Sequence, residues 1–255
     1  MIRTAPVARR SIRCIVPMVA LALTGIASPS RAQRPTAPGA SASLSPFARA
    51  KAERLLREKH GCLGCHALGN DGGTLAPALH DVRTRRDAAY IAGMIADPQA
   101  TKPGVSMPRI RMPERERTLI IRYLGGDPAA VATGRASRVV GAGQAAGPRS
   151  APADGRALYQ GWCAGCHGPT GAGDGPNARA LPVPPARHND ARAMSARSDD
   201  ALFDTIEAGG AVMNRHPRMP AFGGTLGTTE IRTLVAYIRT LCACQGPAWS
   251  RDGGR

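Results

Sequence analysis

The sequence predicts an all-α protein made of two tandem helical domains joined by a flexible linker. Three observations predict it. The pentad Cys-x-x-Cys-His occurs twice, as Cys62-Leu-Gly-Cys65-His66 and Cys163-Ala-Gly-Cys166-His167. Each copy is followed by the same series: a Gly/Pro-rich loop, a short helix, a Met-Pro pair, and an amphipathic helix ending in Tyr. No run alternates apolar and polar residues as a half-buried strand would.

The chain opens with MIRTAPVARRSIR, basic and without an acid, then the apolar run CIVPMVALALTGIA and the small residues Ser30 and Ala32. This layout predicts a secretory signal over residues 1–32, cleaved after Ala32. The apolar run is short for a membrane anchor and contains Pro17. No later stretch approaches the length of a membrane span, so no transmembrane segment is expected in the mature chain. Residues 33–45 read as a flexible leader.

The first domain is expected over residues 46–126. Ser45-Pro46 opens a helix, FARAKAERLLREK, that leads into the first pentad. LAPAL, RRDAAYIAGMI, VSMPRI and ERERTLIIRYL follow. Residues 127–152 are rich in Gly, Ala, Pro and Ser, side chains that bury little surface, and read as a linker. A flexible segment of that length spans about 26–32 Å, so it permits many arrangements of the domains and dictates none.

The second domain is expected over residues 153–242. ADGRALYQGW leads into its pentad, then come GAGDGPNARALPVPP, SDDALFDTIEAGG, PRMPAF and TTEIRTLVAYIRTL. In the last of these Ile231, Leu234, Val235, Ile238 and Leu241 form a helical stripe. Thr228 is the expected cap of that helix and Ser198 of the one before it. Glu116 and Tyr123 have the same seven-residue spacing as Glu230 and Tyr237, which aligns the closing helices. Residues 243–255 form a tail.

The formal charge is +16, and removal of the five signal arginines leaves +11. Such a surface favours acidic partners. Nucleic acid is set aside, because the chain carries an export signal and its basic runs lack interleaved aromatics. Three Phe, four Tyr and two Trp are few for two small cores. A buried planar cofactor would supply the missing apolar mass.

Zinc, redox thiols and haem compete for a Cys-x-x-Cys pair. Structural zinc takes four ligands, usually from two motifs close together, and these lie about a hundred residues apart. A redox dithiol wants a strand-then-helix setting. A His directly after the second Cys fits c-type haem attachment: two thioether bonds to the porphyrin and an imidazole reaching the iron from the same side. Two copies imply two covalently attached haem c groups.

The opposite face of each iron separates a carrier from an enzyme. Met107 and Met219 both precede Pro, which holds the loop extended, and lie 41 and 52 residues after their histidines. Met112 also precedes Pro, but it aligns with Leu226 and reads as core, as does Met94 within its helix. Met213 and His216 compete with Met219.

These residues resemble the class I cytochrome c family, and the pair resembles the two-haem cytochromes c of bacterial periplasms, from Pro46 to Leu241. The resemblance implies haem-iron ligands His66 and Met107 in the first half and His167 and Met219 in the second, with Cys62, Cys65, Cys163 and Cys166 attaching the haems. It also implies that the Pro77 carbonyl accepts a hydrogen bond from His66. Pro184 and Pro185 are candidates for that role toward His167. His60, His80 and His188 are expected at the surface or beside haem propionates.

Two departures remain. The linker is longer than a tightly fused two-haem carrier would need, which argues against close haems. Cys242 and Cys244 lie outside the pattern, open to a bridge, a partner chain or the free state. The expected function is a periplasmic electron carrier with no catalytic residue of its own, working between redox proteins with acidic docking surfaces. The alternatives are a haem enzyme (a two-haem peroxidase or sulfur-compound dehydrogenase) or the cytochrome subunit of a larger dehydrogenase or oxidase.

Overall fold

The computed structural model describes residues 44–133 and 154–250. The expected signal, most of the leader, residues 134–152 of the expected linker, residue 153 and the last five residues of the tail lie outside them. The described chain is rich in helix, as its stripes require. Its strands are one antiparallel two-residue hairpin, β1 (Ala67–Leu68) with β2 (Asp71–Gly72), pairing Ala67 with Gly72. A hairpin this short carries no alternation for the sequence to display.

In the first half, α1 (Pro46–Arg54) starts at Ser45, whose hydroxyl accepts from the Ala48 amide at 3.2 Å, with Pro46 in the first turn. The helix widens into a π turn at Leu55–Lys59 and stops before Gly61. After the pentad come α2 (Val82–Arg85), α3 (Ala88–Ala96), α4 (Pro98–Thr101) and α5 (Glu114–Tyr123). Asp87 caps α3 and Asp97 caps α4, each accepting from an amide three residues on. Leu55, Leu56, Leu63, Leu68, Ile91, Ile120 and Leu124 form the apolar core that these helices enclose.

A further helix, α6 (Pro128–Ala132), occupies the start of the stretch expected as linker. Asp127 caps it by accepting from the Ala129 amide at 2.9 Å, and Val131 packs toward Ala92 and Ile121. The first half therefore ends in a docked helix.

The second half contains α7 (Gly155–Trp162), α8 (Ala164–His167), α9 (Ala191–Ser195), α10 (Asp199–Ala208) and α11 (Thr228–Cys242). Ser198 caps α10 as its sequence position foretells, 3.0 Å from the Ala201 amide. At α11 the cap is Gly227, one residue before the expected Thr228. Glu230 reaches back to accept from the Gly227 amide at 2.9 Å, so the carboxylate supplies what a Gly side chain lacks. Leu158, Tyr159, Met194, Leu202, Ile206, Phe222 and the α11 stripe make this half's core. Cys242 and Cys244 are joined by a disulfide, with Cα atoms 5.1 Å apart.

The two halves interlock. Arg218, only 10% exposed, donates to both carboxylate oxygens of Asp71 at 2.7 Å and to the Leu63 carbonyl at 3.1 Å. Arg57 also pairs with Asp71. The Arg109 amide donates to the Thr225 hydroxyl at 2.6 Å. Asn177, fully buried, accepts from the Thr74 amide at 2.7 Å and donates to the Gly64 carbonyl at 2.6 Å. Gly64 is needed at this seam, because a Cβ there would overlap the Arg218 carbonyl. The two halves are thus held together by side chains that lie outside the expected linker.

Candidate functional site

The first pentad sits at the end of the α1 and π-turn rod. Gly61 reverses the chain at φ +66°, a conformation that suits Gly, and a Cβ there would press on Pro220. The His66 amide then donates to the Cys62 carbonyl at 3.0 Å, closing the turn that carries the pentad. His66 Nδ1 donates to the Pro77 carbonyl at 2.7 Å. That bond fixes the tautomer and leaves Nε2 as the free nitrogen.

An apolar cavity opens beside this imidazole. Cys62, His66 and Pro77 line it together with Leu56, Ile91, Ile120 and Leu124, and Met94, Met107 and Met112 also line it. Arg85, Arg86 and Lys102 line it too, adding positive charge to an otherwise apolar wall. Both Met-Pro methionines of this half therefore reach the cavity. They differ in surroundings: Met112 also packs on the apolar core, whereas the Met107 carbonyl accepts from Gln99 at 3.4 Å. Met94, expected as core, is half-buried on the cavity wall.

The second pentad ends α7 and forms α8. The His167 amide donates to the Cys163 carbonyl at 2.9 Å, and Gly168 turns the chain away at φ +78°. His167 Nδ1 donates to the Ala186 carbonyl at 2.9 Å. The acceptor is thus Ala186, not Pro184 or Pro185; the role needs a backbone carbonyl on the returning loop, and proline confers no advantage in supplying it. Met219 packs on the same apolar cluster as Trp162 and Cys163. Met213 is not in that cluster, and His216 Nδ1 accepts from the Arg218 amide at 3.2 Å within its own loop.

His60 and His188, expected at the surface or beside haem propionates, are both buried. His60 donates through Nε2 to Glu116 at 2.8 Å, and Lys59 holds the other carboxylate oxygen at 2.7 Å. His188 stacks on His167 with ring centroids 4.1 Å apart, and its Nδ1 shares a 2.9 Å hydrogen bond with the Tyr159 hydroxyl. The spacing gave no hint of these partners, which come from distant helices. His80 is exposed beside Asp81.

Burial sets the protonation states. It lowers the pKa of His66 and of His167 against the hydrogen bonds that raise them, so both imidazoles are held neutral, the form that ligates a metal. His188 is pushed down to about 2, by burial first and by His167 second. Burial pushes the Cys62, Cys65 and Cys163 thiols up to about 12. Cys166 is raised by burial and partly relieved by the Asn177 hydrogen bond.

These observations test whether the residues fit a haem. In the first half they fit well: two thiols, an imidazole with Nε2 free, thioether side chains, an apolar slot, and cations suited to carboxylates at its edge. The second half offers the same thiol pair and oriented imidazole against an apolar cluster that includes Met219.

Comparison with known proteins agrees. No curated protein and no solved structure matches the chain. Residues 150–238 match the family model described as Cytochrome C oxidase, cbb3-type, subunit III. That stretch is similar to a cytochrome c domain, a likeness that supports a c-type cytochrome with covalently bound haem c and a part in haem-based electron transfer.

Proposed function

We propose that the protein is an exported, periplasmic two-haem cytochrome c that passes single electrons between redox partners. The observation that carries the reading is the recurrence of one arrangement: a Cys-x-x-Cys-His turn whose imidazole Nδ1 is held by a backbone carbonyl, at 2.7 Å in one half and 2.9 Å in the other. Haem iron supplies one-electron chemistry without proton transfer. The chain orients each imidazole, keeps it neutral and presents thioether sulfur from Met107 and Met219. His/Met ligation raises the reduction potential. With His66 and Met107 holding one iron and His167 and Met219 the other, a substrate would find no open site there. Arg85, Arg86 and Lys102 beside the first cavity offer charge partners to propionates and add to the basic surface that would steer an acidic protein.

The test is direct. Mass measurement and a pyridine haemochrome assay on the matured protein should count two covalent haems. Both should show the weak near-infrared Met-to-iron band and resist cyanide. One haem, or an open iron with turnover on peroxide or thiosulfate, overturns the carrier reading. A second reading, the cytochrome subunit of a larger oxidase, is favoured by the description of the family model. Co-purification of partner subunits from the native membrane separates it from a free shuttle.

A further inference from the structure

We propose that the two haem sites exchange electrons inside the chain, across the seam where the Cys65 and Cys166 loops meet, and that Asn177 is the residue that positions this seam. The proposal rests on the two-haem reading. Asn177 belongs to the second half, yet its side chain is devoted to the junction. Its Oδ1 accepts from the Thr74 amide at 2.7 Å, and its Nδ2 donates to the Gly64 carbonyl at 2.6 Å and to Cys166 Sγ at 3.3 Å. A single buried amide therefore touches an attachment sulfur of one half and the residue preceding an attachment cysteine of the other. Leaving those partners unmet in a buried seam is costly, so the amide locks the geometry.

Two further contacts hold the same seam shut. Arg218 ties the loop of Met219 to the Leu63 carbonyl and Asp71, and the Leu75 side chain lies against Gly165, inside the second pentad. The first attachment loop is thereby clasped from two sides by the second half. A thioether formed at Cys65 and one at Cys166 would each tie a porphyrin to the polypeptide beside this seam. Electron tunnelling falls steeply with distance between such edges. In the step, one ferrous iron is oxidised as the other, ferric, is reduced; no proton, atom or bond changes place.

The test uses the matured holoprotein, with haems counted first by mass. Fewer than two haems defeats the two-haem reading itself and is distinct from every outcome below. After flash reduction of a fully oxidised sample, electrons should redistribute between the haems at a rate independent of protein concentration. The oxidised protein should show magnetic broadening between its two low-spin EPR signals. Asn177→Leu should slow the redistribution and lose the broadening while both Met-to-iron bands persist, a combination that a purely structural role would not give. A redistribution rate proportional to protein concentration overturns the proposal. So does a wild-type EPR spectrum equal to the sum of two isolated haems, or an Asn177→Leu protein with unchanged rate and broadening. If that variant does not mature, the two wild-type measurements decide the matter alone.

Discussion

At the scale of single residues, Met107 and Met112 pose the sharpest choice, since the same atom type lines one cavity twice. Met112 shares the apolar core and corresponds to the buried Leu226, so its side chain is needed for packing whatever happens at iron. Met107 has no such second duty. On the proposed two-haem reading, Met107→Ala is therefore expected to remove the first half's near-infrared sulfur band and lower that haem's potential, by absorption and potentiometric titration. Met112→Ala should keep the band and cost about 2 kcal/mol of stability; the opposite pattern would reverse the assignment. The cysteines allow a second prediction. With folded pKa values raised to about 12, Cys62, Cys65 and Cys163 stay protonated in the folded chain at neutral pH. Thiolate is the reacting form. A folded chain lacking haem should resist alkylation at about pH 8 and label quickly once urea is added. The sign follows from the raised pKa: the folded state favours the thiol, and that preference is lost as pH climbs toward 12. Rapid labelling without denaturant would contradict the raised thiol pKa values. The four pentad cysteines, both pentad histidines and the three Met-Pro pairs stand out in the sequence because each is marked by its immediate neighbours. Ala186, His188 and Asn177 do not, because their partners are supplied by remote segments.

Among the elements, caps were legible wherever the capping atom belongs to the residue at the boundary. Ser45 and Ser198 are such cases. At α11 the cap is a carboxylate three residues inside, which displaces the boundary from Thr228 to Gly227. The α6 helix carries its own signal, Asp127 before Pro128, but its small side chains resemble a linker by composition, and only docking near Ala92 and Ile121 makes it worth forming. Ser198→Ala should destabilise the second half by about 1 kcal/mol, read as a lowered thermal midpoint. The Lys59–Glu116–His60 cluster joins the π turn to α5. Because Glu116 is 8% exposed, Glu116→Ala should cost about 1–3 kcal/mol by stranding the His60 N–H. An unchanged midpoint in chemical denaturation would remove that cluster from the list of what holds the first pentad's rod in place.

For the molecule as a whole, the sequence shows two repeats but not how they meet, because the seam is built from single residues whose partners lie ninety or more positions away. Asp71 with Arg218 is the largest charged element of it. The Arg218 hydrogen bond is the first cause that holds the Asp71 carboxyl below the usual carboxylate range, outweighing the desolvation that would raise it. A depressed folded pKa stabilises above the ordinary carboxylate pKa of about 3.9 and loses that contribution as pH falls through the folded value. Asp71 is 42% exposed, so solvent and salt weaken the pair, while the Leu63 carbonyl bond of the same guanidinium is less affected. Cutting the chain at a protease site introduced between Thr133 and Asp154 should therefore leave the two halves eluting as one particle at neutral pH. They should part on acidification below about pH 4. Arg218→Ala should weaken the association by about 1–3 kcal/mol, enough for partial separation in dilute solution without acid. Halves that separate at neutral pH in the unsubstituted protein would show that the linker, not the seam, keeps the two pentads together.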